Sequence, residues 1–104
     1  MKIVCVCDEG NNRSVIFAGL LRYKYNAETI AIGINRTSKL TQEMLFDWAD
    51  YIIITHGTLK RRIDEKYYSK MKLFDVGSDR KEWARPYNRL LLPIAKRIIE
   101  ANPL

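Results

Sequence analysis

Five residues separate Cys7 from Arg13, and Ser14 follows directly, in the run Cys7-Asp8-Glu9-Gly10-Asn11-Asn12-Arg13-Ser14. Such a set can hold and attack a phosphate ester. A cysteine is nucleophilic as its thiolate, and backbone N–H groups of a tight loop opening a helix favour negative charge at that point. The same N–H groups converge on an anion. Arg13 can reach back over the loop with a planar fork that grips two phosphoryl oxygens, which a lysine cannot do. Ser14 can donate its hydroxyl to the sulfur, and Gly10 allows the positive φ that a loop of this kind needs.

Around this loop the chain alternates. Lys2 to Val6 reads as a short buried strand, and apolar spacing from Ser14 to about Tyr25 predicts a helix. Thr29 to Ile34 is a second β-type run, with Thr41 as the expected N-cap of a helix through Met44, Leu45, Trp48 and Ala49. Tyr51 to Thr55 is a third strand, broken by His56-Gly57, after which Thr58 is expected to cap a basic helix through Leu59 and Ile63. Lys70 to Val76 supplies a fourth strand. A polar loop then runs to Pro86, a suitable first residue for a terminal helix, which Pro93 should kink or restart.

The alternation predicts an α/β fold of one domain, residues 1–104, with a four-stranded parallel sheet flanked by helices on both faces. Ligands of such sheets bind beyond the carboxyl ends of the strands. The loops at 7–13, 35–38, 55–58 and 76–85 should therefore share one edge.

The Cys-x5-Arg-Ser loop between first strand and first helix resembles the phosphate-binding signature of low-molecular-weight protein tyrosine phosphatases. Trp48-Ala49-Asp50-Tyr51-Ile52-Ile53-Ile54 is similar to that family's passage into its third strand, and Asp75-Val76-Gly77-Ser78-Asp79 to its general-acid loop. The resemblance implies a phosphocysteine intermediate on Cys7, phosphate binding by Arg13 and the loop from Asp8 through Glu9, Gly10, Asn11 and Asn12 to Ser14, and leaving-group protonation by Asp79 rather than Asp75. Two departures stand out. Gly10 lies three residues after the cysteine where the family has glycine at two, and Asn12 replaces a second cysteine that many members carry.

The implied activity is that of a cysteine-dependent phosphate-monoester phosphatase, acting on a phosphorylated protein, with tyrosine the expected site, or on a small phosphomonoester. No cofactor or metal is expected. The alternatives are a cysteine phosphocarrier, like the B component of sugar phosphotransferase systems, and a catalytically silent phosphate-binding module. A carrier has no use for a leaving-group acid, and arsenate reduction needs further cysteines for its thiol relay.

Composition narrows the partners. With 47% hydrophobic and 29% charged residues, the 104-residue chain has an ordinary globular balance and can bury a core without disulfides. The first apolar run stops at Asp8, short of a signal peptide or membrane span, so a cytoplasmic protein with no membrane partner is expected. Cys5 and Cys7 are the only cysteines. They point to one face of a strand roughly 6–7 Å apart, which suits two free thiols better than a bridge. Cys5 and Trp48 are assigned to the core. The net charge of +6 suits an anionic partner. Nucleic acid is disfavoured, because Lys60-Arg61-Arg62 has no interleaved aromatic residues. Trp83 and Tyr87 are candidates to wall a cleft or to anchor the last helix.

Overall fold

A computed structural model of the chain describes residues 1–10, 12–77 and 89–104. Asn11, Asp79, Trp83, Pro86 and Tyr87 lie outside the described residues. The elements run β1 (Lys2–Cys7), α1 (Arg13–Tyr25), β2 (Glu28–Gly33), α2 (Lys39–Trp48) and β3 (Tyr51–Ile54). Two 3-10 helices (Gly57–Arg62 and Glu65–Lys70), β4 (Met71–Leu73) and α3 (Leu91–Ala101) complete the series.

The strands form a four-stranded parallel sheet in the order β2-β1-β3-β4. Alternation along β1 divides the core. Ile3 and Cys5 pack with Ile53 against Ile16, Phe17 and Leu21 of α1 and Leu91, Ala95 and Ile99 of α3. Val4 and Val6 face the other way, with Ile52 and Ile54, onto Phe46 of α2 and onto Leu59, Ile63 and Tyr67. Residues 3 to 6 are all fully buried, as a central parallel strand covered on both faces requires. Each large apolar side chain so placed contributes about 1.5–3 kcal/mol.

Several local expectations are corrected. Ser38, not Thr41, caps α2, its hydroxyl accepting from the Thr41 N–H at 3.2 Å. The basic segment after Thr58 forms two short 3-10 helices in place of an α-helix, each closed by an i to i+3 backbone bond such as Ile63 N–H to the Lys60 carbonyl. The fourth strand is only Met71–Leu73. Pro93 does not lie in a helix interior. It is the third residue of α3, in the first turn, where its missing N–H has no intrahelical acceptor to lose. Trp48 is half-buried at the end of α2, with the Lys2 ammonium 5.9 Å from its ring centre. Among the described residues no helix is long and apolar enough to cross a membrane.

In this strand order the chain leaves β1 toward β2 on one side, while β3 pairs on the other. In parallel sheets such a divergence marks the ligand edge, here beyond the carboxyl ends of β1 and β3. Cys7 ends one of these strands, and Thr55 and His56 follow the other.

Candidate active site

Cys7 is the last residue of β1, and α1 begins at Arg13, so the loop between them folds directly onto a helix N-terminus. The Gly10 N–H points at the Cys7 Sγ, 3.0 Å away, and the Ser14 Oγ lies 3.1 Å from the same sulfur. The Gly10 N–H donates to the sulfur, and the Ser14 hydroxyl is placed to exchange a hydrogen bond with it. Gly10 has φ of +77°, the conformation expected for it.

The loop is pressed against the end of β2. A Cβ on Gly10 would stand 2.6 Å from the Gly33 nitrogen, and one on Gly33 would stand 2.1 Å from the Glu9 carbonyl carbon. Neither glycine has room for a side chain. Backbone bonds from Ile34 N–H to the Cys7 carbonyl and from Asn35 N–H to the Asp8 carbonyl, each 2.9 Å, fasten the two segments together. Sequence reasoning passed over Gly33, although a glycine inside a strand is the ordinary mark of a close backbone approach.

Arg13 is 1% exposed. Its Nη1 donates to the Gly77 carbonyl and its Nη2 to Asp8 Oδ2, both at 2.8 Å, while its Nε has no hydrogen-bond partner among the described residues. Asn12 Oδ1 is likewise buried without a partner there. A buried guanidinium is costly unless its charge is met, and Asp8 meets it. Burial works to raise the Asp8 pKa, but Arg13, with His56 beside it, outweighs that and holds the carboxyl below its ordinary value. His56 Nε2 lies 3.3 Å from the same carboxylate oxygen, and His56 Nδ1 faces the Thr58 hydroxyl.

The two adjacent acids of the loop diverge. Asp8 turns inward to Arg13, whereas Glu9 turns outward, accepting from Asn35 Nδ2 at 3.1 Å and Arg36 Nε at 2.6 Å. Those bonds hold the Glu9 carboxyl below the ordinary value. Asp75 closes a turn by accepting the Gly77 N–H at 2.8 Å. That turn presents the Gly77 carbonyl to Arg13.

Loops after β1, β2 and β3, together with the start of the loop after β4, thus meet on one edge; Val76 N–H reaches the Thr55 carbonyl at 2.9 Å. Cys7, Asp8, Gly10, Arg13 and Ser14 are brought together there, and Glu9 is not aimed into the site. The roles of Asp8, His56 and Gly77 had little signal in the sequence. Cys5 and Cys7 are free thiols. Among the described residues no cluster of three or more His, Cys, Asp or Glu side chains could hold a metal ion.

No family model and no curated protein matches this chain in sequence. Solved structures do match its fold. Wzb of Vibrio vulnificus, in complex with benzylphosphonate, superposes with a TM-score of 0.65 at 16% identity, over 96% of this chain and 92% of that one. The tyrosine phosphatase Wzb of Escherichia coli K30, in complex with phosphate, gives 0.63 at 18% identity over 96% of both chains. The YwlE arginine phosphatase of Geobacillus stearothermophilus gives 0.61 at 16% identity over 96% and 91%. The architecture is that of the low-molecular-weight tyrosine phosphatases, and it is shared with a protein described as an arginine phosphatase.

Proposed function

We propose that the chain is a phosphate-monoester phosphatase working through a phosphocysteine on Cys7. The observation that carries this reading is the Cys7 sulfur held by the Gly10 N–H and the Ser14 hydroxyl at the start of α1, beside a buried Arg13. The fold shared with known phosphatases supports it.

In the first step the Cys7 thiolate attacks phosphorus. The S–P bond forms as the P–O bond to the leaving group breaks, and the leaving oxygen takes a proton from a carboxylic acid. Asp79 is the proposed acid; the Asp75 carboxylate is engaged by the Gly77 N–H. In the second step water attacks phosphorus and gives a proton to the carboxylate left by the first step, the P–O bond forms, the S–P bond breaks, and inorganic phosphate leaves with the thiolate and the carboxylic acid restored. Arg13 and the loop N–H groups stabilise the charge on the equatorial oxygens in both steps. The Ser14 hydroxyl stabilises the sulfur as nucleophile and as leaving group. Tyrosine phosphate is the proposed protein substrate, and the chain is proposed to work in the cytoplasm.

Hydrolysis of para-nitrophenyl phosphate by the wild-type chain, and its loss in Cys7→Ser, tests the reading. Trapping of 32P on the wild-type protein but not on Cys7→Ser distinguishes it from a silent binding module. Hydrolysis and labelling should both appear. A chain that binds phosphate yet shows neither is not this enzyme. Asp79→Asn should slow phosphotyrosine, whose leaving phenolate is basic, more than para-nitrophenyl phosphate, by roughly a hundredfold against tenfold. Equal slowing of both substrates removes Asp79 from the role.

A further inference from the structure

Beside the phosphate loop the structure gathers five cations, of which Arg36 alone meets a carboxylate among the described residues. Segments 33–39 and 56–63 contain Arg36, Lys39, Lys60, Arg61 and Arg62 and no Asp or Glu. All five side chains belong to exposed residues.

The two segments are joined to each other and to the loop. Asn35 N–H is bonded to the Asp8 carbonyl, and the Asn35 side chain donates to Glu9 while accepting from Arg62 Nη2 at 2.7 Å. Lys39 Nζ donates to the Arg62 carbonyl at 3.1 Å. The cations therefore form a rim tied to the loop after Cys7 through Glu9 and Asn35.

Their partners reveal what is left over. Among the described residues Arg36 alone of the five meets a carboxylate, that of Glu9. Arg62 and Lys39 meet neutral acceptors, and Lys60 lies 4.6 Å over the ring of Tyr68. No contact is recorded for the Arg61 side chain among the described residues. Four positive charges thus face solvent beside a site suited to one phosphoryl group.

We infer that this rim binds carboxylates flanking the phosphorylated residue, so that the preferred substrate is an acidic phosphopeptide segment. The inference rests on the proposed phosphatase reading and adds a substrate class to it. An extended peptide advances about 3.3–3.6 Å per residue, so a carboxylate two or three positions from the phosphorylated residue lies about 7–11 Å from it, outside the phosphate loop itself. Arginine forks match carboxylates in bidentate fashion. Nucleic acid fits less well. One face of the Tyr68 ring is covered by Lys60 and its hydroxyl is bonded to the Lys60 carbonyl at 3.0 Å, and no aromatic residue interleaves Lys60-Arg61-Arg62 to stack on a base.

The test is equilibrium binding, by fluorescence anisotropy, of two labelled peptides that carry a non-hydrolysable phosphonate analogue of phosphotyrosine. One has Glu and the other Gln at the two positions on either side. Two or three exposed ion pairs should make the Glu peptide bind about tenfold tighter in low salt. The advantage should shrink as salt approaches about 0.2 M. It should fall by about half in Arg61→Gln and approach one in Lys39→Gln/Arg61→Gln/Arg62→Gln, with circular dichroism confirming the fold. Equal or absent binding of the two peptides overturns the inference, as does a preference retained in both variants. Tighter binding of a phosphorylated oligonucleotide of matched charge overturns it in favour of nucleic acid. Turnover of para-nitrophenyl phosphate is scored separately. A tenfold peptide preference in a chain without turnover supports the rim and sinks the catalytic reading, while turnover without a preference does the reverse.

Discussion

Cys5 and Cys7 stand two residues apart on one strand, and both are almost wholly buried, at 0% and 2% exposure. Their surroundings nevertheless differ in kind. Cys5 lies mid-strand among Ile3, Ile16, Phe17 and Ile53, where burial first and the neighbouring Cys7 second push its thiol far up. Cys7 lies where the strand ends, and there the sulfur meets the Gly10 N–H and the Ser14 hydroxyl. Burial is common to both thiols, so it cannot be what separates them. The difference is the supply of hydrogen-bond donors. Mid-strand N–H groups are spent in the sheet ladder, whereas the loop that follows turns the Gly10 N–H toward the strand end.

Exchanging each sulfur for oxygen should break the pair apart most sharply. Cys7→Ser should keep the fold and lose turnover by a factor on the order of ten thousand or more. Cys5→Ser should keep turnover and lose about 1–3 kcal/mol of stability, because it buries a hydroxyl in an apolar cluster. Para-nitrophenyl phosphate kinetics and thermal denaturation of both variants check this. A folded Cys5→Ser protein without activity would mean that the mid-strand thiol takes part in the chemistry.

The next largest effect is expected at Arg13, which supplies the charge that the interior of β1 lacks. Arg13→Lys retains the charge but not the fork, and kcat should fall by roughly a hundredfold. Near-normal kcat would confine Arg13 to its pairing with Asp8.

Gly33 tests whether the loop's shape, and not its composition alone, distinguishes Cys7. With a Cβ 2.1 Å from the Glu9 carbonyl carbon, Gly33→Ala must push the loop away from β2. Steady-state kinetics should show a loss of about tenfold or more, since small displacements at a reacting centre are costly. Denaturation should show a loss of about 1–3 kcal/mol. Wild-type kinetics in this variant would show that the loop tolerates displacement.

The smallest effect belongs to Asp8. Its carboxylate sits on Arg13 near the anion position, so Asp8→Asn should tighten inhibition by inorganic phosphate several-fold. The pH dependence follows from the direction of the shift. With the folded pKa held below the unfolded one, the stability Asp8 contributes is fully present above the ordinary carboxylate value of about 4 and is lost as pH falls through the folded value. The melting temperature of wild type should exceed that of Asp8→Asn at neutral pH, with the gap closing below about pH 4. A gap independent of pH would place the stabilisation elsewhere.

The sequence by itself determined the strand-loop-helix unit from Lys2 to Tyr25, the alternation of strands and helices, the parallel sheet and the edge on which its loops meet. These follow from apolar periodicity and from spacing within a few residues, as in the pair Cys7 and Ser14 seven positions apart. Only the tertiary structure decided that Asp8 turns inward while Glu9 turns out, that Gly33 makes room for Gly10, and that the Gly77 carbonyl holds Arg13. Local pattern also mistook Thr41 for the cap of α2 and the segment after Thr58 for an α-helix, because Ser38 and residues 57–70 are shaped by what they pack against. Arg13 and Gly77 are 64 residues apart, and His56 and Asp8 are 48 apart. Contacts of that range depend on the order β2-β1-β3-β4, which sets strand ends side by side and which no local periodicity encodes.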